Sequence, residues 1–274
     1  MAFDIESFEG CARQNGVRYW LAHDLMRELG YESWVSFQKV VMKAQASCAR
    51  LEMDALSEFI PATYVDAVDG LEKPSIRLTR FACLLVTMHA DERKAQVAAA
   101  KVALAALANQ VIAARLSQNE LGRIETRDDL KSAEIALSSA AQRAGVQSHE
   151  QAFFKDAGIR GMYNRSLQDL KQMRGLGQND TPYDFMGLTE LAGNLFRVTQ
   201  TAEKLRGTPD IGLRLAQQTA RQVGQDVRRL MIQNSGVAPE ALPIEQNIKD
   251  VKKGLRNTAK EMKKLDAPKK PRTR

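Results

Sequence analysis

The chain is expected to fold as an α+β N-terminal module of short strands and helices, followed by a mainly α-helical domain and a basic helical tail. Three observations predict this. Over the first ninety residues, short β-prone segments bracketed by turn residues alternate with helical patterns, without βαβ regularity. From Asp91 onward, apolar residues recur on three- and four-residue steps. Beyond Gln246 the chain turns strongly basic. The expected divisions are 1–92, 93–238 and 239–274, the last holding a Pro-containing linker, a basic amphipathic helix and a disordered end.

In the first module, Asn15-Gly16 ahead of Val17-Arg18-Tyr19-Trp20 is a hairpin signal. Leu21, Leu25 and Leu29 recur every four residues and Gly30 follows, so a two-turn helix stops there. Ser33 caps a second helix with Val35, Val40, Val41 and Ala44 on its apolar side, and Phe59-Ile60-Pro61 breaks it. A turn at Asp69-Gly70 precedes the extended Ile76-Arg77-Leu78, and Thr79 caps a helix through Phe81, Leu84, Leu85 and Met88.

The helical domain opens with the alanine-rich run Lys94 to Leu116, whose stripe is Val97, Ala100, Leu104, Leu107, Val111 and Ala114. Leu130, Ala133, Leu137, Ala140 and Ala144 repeat the pattern up to Gly145, which suggests a long antiparallel hairpin. Ser148 with Gln151 fits a capping box. Gly158 and Gly161 punctuate an expected loop through Tyr163. Further helices are expected at Leu167 to Met173, from Leu188 toward Leu205, and from Thr208-Pro209 to near Gly236.

The net charge of +7 is unevenly placed. From Gln246 to the end, eleven basic residues face only Asp250, Glu261 and Asp266, a net of +8. The rest carries 29 basic and 30 acidic residues, a net of −1. Ile248, Val251, Leu255, Met262 and Leu265 occupy a/d-like positions, with polar Thr258 at the missing one. This basic amphipathic helix has three possible uses: lying across nucleic acid, packing on the body, or pairing with another chain. Its candidate phosphate contacts are Lys249, Lys252, Lys253, Arg256, Lys260, Lys263 and Lys264. Lys269 to Arg274 is expected to be disordered.

A second basic cluster is Arg77, Arg80, Arg93 and Lys94, near two helix starts, where backbone N–H groups and guanidinium favour phosphate. Intramolecular pairing with Asp91 and Glu92 is the competing reading. Asn194, Arg197, Thr201 and Lys204 share one side of a helix, with Thr199 and Gln200 between them. They form either a donor-rich strip for an acidic or phosphate-bearing partner or a buried polar network.

Catalytic motifs are missing: there is no Walker A loop, GxGxxG, GxSxG, HExxH or CxxC. His23-Asp24 reads as a solvated pair, His89 as a helix-end charge, and Cys83 as a buried apolar residue. No metal or cofactor is expected. Cys11, Cys48 and Cys83 are odd in number and scattered, which suits a reducing cytoplasm. The acidic N-terminus lacks a signal-peptide pattern, and no apolar run is long enough to span a membrane.

Several segments resemble known families. Trp20-Leu21-Ala22-His23-Asp24-Leu25 with Leu29-Gly30-Tyr31 resembles the start of the BRO-N domain of baculovirus and phage antirepressor-like proteins. Leu78-Thr79-Arg80-Phe81-Ala82-Cys83-Leu84-Leu85-Val86 resembles its second signature. Asp156 to Tyr163, Phe185 to Thr201, and Pro239-Glu240-Ala241-Leu242-Pro243 are similar to motifs of the bacterial DNA-damage-inducible protein D family. The resemblance runs from about Tyr19 to Lys253. The chain departs from that family at Thr219-Ala220 and at His89-Ala90-Asp91-Glu92.

The resemblance implies a cytoplasmic, nonenzymatic SOS-response protein that binds single-stranded or duplex DNA, modulates RecA recombinase filaments, or both. An antirepressor-like interaction regulator, whose long helices form a homodimer or capture a partner, is the alternative. A metal-dependent nuclease with scattered carboxylates is the minor one.

Overall fold

The computed structural model describes residues 3–66, 70–107 and 118–268. They form two compact units, 1–121 with 250–274 and 122–249. The architecture is the expected one, a small antiparallel sheet with helices near the N-terminus and then a mostly helical chain.

In the first unit, β1 (Arg13–Asn15), β2 (Val17–Leu21), β3 (Phe59–Val65) and β4 (Glu72–Leu78) make a sheet in the order β1-β2-β4-β3. Gly16, at φ +77°, reverses the chain so that Asn15 pairs with Val17. The β3 strand replaces the expected helix break. The helix that Ser33 caps has already ended at Arg50, a one-turn helix at Ala55–Glu58 intervenes, and Pro61 is tolerated because β3 is an edge strand, paired among the described residues with β4. Of the expected Asp69-Gly70 turn, Asp69 lies outside the described residues, and the Gly70 N–H donates to the Asp66 carbonyl at 2.9 Å.

The helices beside the sheet in the first part of the chain are α1 (Ile5–Gly10), α2 (Ala22–Glu28), α3 (Trp34–Arg50), α4 (Ala55–Glu58), α5 (Arg80–His89) and α6 (Ala95–Leu107). The Ser33 and Thr79 hydroxyls cap α3 and α5 as expected. Every residue of α5 from Arg80 to Met88 is buried, so this helix is the centre of the core. Against it α3 packs Phe37, Val41, Ala44 and Cys48. Val35, expected on that face, is 65% exposed, because the buried stripe begins two residues later. Trp20 stacks on Phe8 at 4.8 Å and donates its indole N–H to the Phe8 carbonyl at 2.8 Å.

His23 is not a solvated residue. It is 8% exposed and stacks between Trp34 and Tyr64, at 3.8 and 4.0 Å between ring centroids. Its Nδ1 lies 2.8 Å from the Ser75 hydroxyl. Burial holds its pKa below the ordinary value, helped by nearby Arg27.

Val97, Ala100 and Leu104 of α6 are buried, and α6 packs on α5 and α1. Of the remaining stripe positions, Val111 and Ala114 lie outside the described residues, as does the turn of the expected hairpin. α6 belongs to the first unit, whereas the second alanine-bearing helix, α7 (Gln118–Arg143), belongs from Gly122 onward to the second.

The second unit continues with α8 (Gln151–Tyr163), α9 (Leu167–Met173), α10 (Leu188–Arg206) and α11 (Gly212–Ser235). The expected loop at Gly158–Tyr163 is helical. Its glycines serve close packing: a Cβ at Gly224 would sit 2.5 Å from the Gly158 carbonyl oxygen, and one at Gly161 would overlap the Arg221 carbonyl. Nor does α11 begin at Thr208-Pro209. Asp210 and Gly212 have φ of 54° and 75°, and the Gly212 N–H first bonds the Ala144 carbonyl at 2.9 Å. The capping contact before α8 runs from the Gln147 N–H to the Glu150 carboxylate at 2.9 Å, rather than between Ser148 and Gln151.

The basic tail helix, α12 (Ile248–Leu265), returns from Asp250 onward to the first unit. Val251, Leu255, Ala259 and Met262 are buried there. Thr258 is fully buried too, and its hydroxyl donates to the Gly254 carbonyl at 3.0 Å. The tail helix is therefore core on one face, whereas the sequence division sets it apart. The end expected to be disordered, 269–274, lies outside the described residues.

Candidate nucleic-acid interface

The basic cluster of Arg77, Arg80, Arg93 and Lys94 does not assemble into one phosphate site. Arg80 is 4% exposed, 4.6 Å from the Trp20 ring, and saturated by two carboxylates. Its Nε donates to both Asp266 oxygens at 3.0 and 3.1 Å, its Nη2 reaches Asp266 Oδ1 at 2.6 Å, and it also bonds Glu9. These partners raise its already high pKa, so it stays cationic inside the core. A buried charge that is fully paired has no valence left for a ligand.

Lys94 is spent on the end of α2, where its Nζ donates to the Gly30 carbonyl at 2.8 Å and lies over the Tyr31 ring. Arg77 is half-buried, with its guanidinium 4.9 Å from the Tyr19 ring. The Arg93 side chain is 90% exposed and grips Asp91 through Nε at 2.9 Å and Nη2 at 2.8 Å. That grip holds the Asp91 carboxyl down at about 2.

The outer face of α12 is different. Lys253, Arg256, Lys260 and Lys264 follow at i, i+3, i+7 and i+11, opposite the buried Val251, Leu255, Thr258 and Met262. They span about 16 Å of helix at ~1.5 Å per residue. Lys253, Lys260, Lys263 and Lys264 are exposed, while Lys252 and Arg256 are half-buried. Arg256 meets Glu52 at 2.6 Å and Lys264 meets Glu261 at 2.7 Å, both pairs at the surface. Lys253 and Lys260 form no ion pair among the described residues. Lys249 stands apart from this row, meeting Asp184 of the second unit at 3.3 Å.

The strip on α10 divides. Asn194, Arg197 and Thr201 are buried in a polar network, while Thr199, Gln200 and Lys204 face outward. Asn194 Nδ2 donates to the Tyr163 hydroxyl at 2.6 Å, and Tyr163 donates to Glu190 at 2.7 Å. Arg174 completes that pair at 2.8 Å. Arg197 bonds Asn194 Oδ1 and the Tyr183 hydroxyl, at 3.2 and 3.1 Å. Burial raises the pKa of Glu190 despite Arg174, and raises those of both tyrosines.

Sequence reasoning missed Arg174, Glu190, Tyr163 and Tyr183. The spacing of Glu190, Asn194, Arg197 and Thr201 on one helical face was the available signal. Among the described residues no three His, Cys, Asp or Glu side chains group as metal ligands, and no helix is long and apolar enough to cross a membrane.

Residues 116–251, which run from the start of α7 into α12, match the family model of the DinD C-terminal domain. The chain is also 33% identical over 258 residues to the DNA damage-inducible protein D of Escherichia coli (strain K12), covering 90% of this chain and 94% of that one. The resemblance of separate motifs thus extends to a co-linear match, and the chain belongs to the DNA damage-inducible protein D family.

Proposed function

We propose that this chain is a nonenzymatic, cytoplasmic DNA-damage-response protein that binds DNA through the lysine row of α12. The observation that carries the reading is a helix buried on one face and lined with Lys253, Lys260 and Lys264 on the other. A basic row on a helix held by a folded unit has its backbone already ordered, so binding phosphate costs less backbone entropy than it does for a loose tail. Modulation of RecA filaments is the finer role implied by the resemblance, through the helical second unit.

Removing the tail is a poor test, because α12 supplies core residues. Lys253→Gln, Lys260→Gln and Lys264→Gln change charge on exposed positions only. Each lysine that contacts duplex phosphate should take about 0.9 from the slope of log affinity against log salt. Binding to duplex, single-stranded and RecA-coated DNA is measured side by side. An unchanged slope in the triple variant removes α12 as the DNA contact. Binding to RecA-coated strands without binding to bare DNA favours the protein-interaction reading instead.

A further inference from the structure

The close crossing of α8 and α11 at Gly158, Gly161 and Gly224 leaves a groove of about 420 Å³ on its flank, within the size range of ligand sites. Phe153, Asp156 and Arg160 of α8 form one wall, and Gln217, Gln218 and Arg221 of α11 form the other. Ala157 is the floor, small enough to keep the groove open. The polarity of this groove is peculiar. Phe153 is 65% exposed and engages no other ring among the described residues.

Asp156 is engaged through both oxygens: one accepts from Arg160 Nε at 2.6 Å, the other from the Leu167 N–H at 2.7 Å. That bond orients the Arg160 guanidinium, and its terminal nitrogens have no hydrogen-bond partner among the described residues. Nor does the guanidinium of Arg221, which is exposed. One turn earlier on α11, Gln217 and Gln218 offer amides that both donate and accept.

We propose that the groove between α8 and α11 binds single-stranded nucleic acid, with an unstacked base on Phe153 and flanking phosphates on Arg160 and Arg221. An acidic polypeptide would use the arginines but has no need of an aromatic shelf. A duplex keeps its bases stacked inside and cannot lay one on Phe153. The glutamines suit base edges, which carry both donors and acceptors. This site is separate from the lysine row of α12, and either can fail without the other.

The test uses the full chain and fluorescence anisotropy with labelled oligothymidylate, oligouridylate and a short DNA duplex. Phe153→Ala should weaken single-strand binding by about 5- to 150-fold and leave duplex affinity unchanged. Arg221→Gln should lower the single-strand salt slope by about 0.7. Both side chains are exposed, and unchanged thermal unfolding confirms that each variant is folded. A preference between the two oligonucleotides that disappears in Phe153→Ala supports the site. Parental single-strand binding in both variants overturns the proposal, and so does equal weakening of single strand and duplex by Phe153→Ala. A polyglutamate peptide whose binding needs Arg221 but not Phe153 would assign the groove to an acidic polypeptide and overturn it as well. Loss of duplex binding in the α12 lysine variants alone bears only on α12.

Discussion

Replacing Asp266 with Ala strips the Arg80 guanidinium of its more buried partner. The Arg80 side chain is 5% exposed and that of Asp266 3%, so solvent screens the pair very little. Breaking such a pair by removing one member typically costs about 3–5 kcal/mol, because the other charge remains buried and uncompensated. Here Glu9, 26% exposed, still bonds Arg80 and offsets part of that loss. The expected cost is therefore about 2–3 kcal/mol, read as a lower midpoint in urea unfolding with little change in slope. The double variant Arg80→Met with Asp266→Leu should recover most of it, since two apolar groups can replace a buried pair at little cost. A single-variant loss below about 1 kcal/mol, or no recovery in the double variant, would refute the idea that this pair fastens α12 to the first unit.

Gly161→Ala forces a Cβ against the Arg221 carbonyl, which neither backbone can yield cheaply, so a loss of about 1–3 kcal/mol is expected in the same unfolding assay. His23 titrates with a lowered folded pKa, so the unfolded chain takes up the proton first. Stability should hold above the ordinary value of 6.5 and fall as pH drops below it through the depressed folded value, and His23→Gln should flatten that part of the profile. Cys48 is buried, with its thiol pushed up to about 12, and Cys83 is fully enclosed. A thiol reagent should therefore label only Cys11 in the native protein, and rapid labelling of all three would contradict the packing.

Local elements were legible from the sequence because their causes are local. Ser33 and Thr79 cap from three residues away, Gly30 and Gly236 supply the left-handed turns that stop their helices, and Gly16 makes the hairpin. The two faces of α12 also follow from its spacing alone. Side-chain fate did not follow, because it depends on partners far along the chain. Arg80 and Asp266 are 186 residues apart, and their pairing turns an apparent phosphate ligand into a core tie. Gly158 and Gly161 resemble loop residues until α11 is placed against them. His23, polar and beside Asp24, is claimed by Trp34 and Tyr64 from other elements. The sequence alone determined the fold class, the caps and glycine stops of α2, α3, α5 and α11, where the positive charge lies along the chain, and which family it resembles. Tertiary structure decided which of those charges face water, because burial and pairing are settled only when distant segments meet.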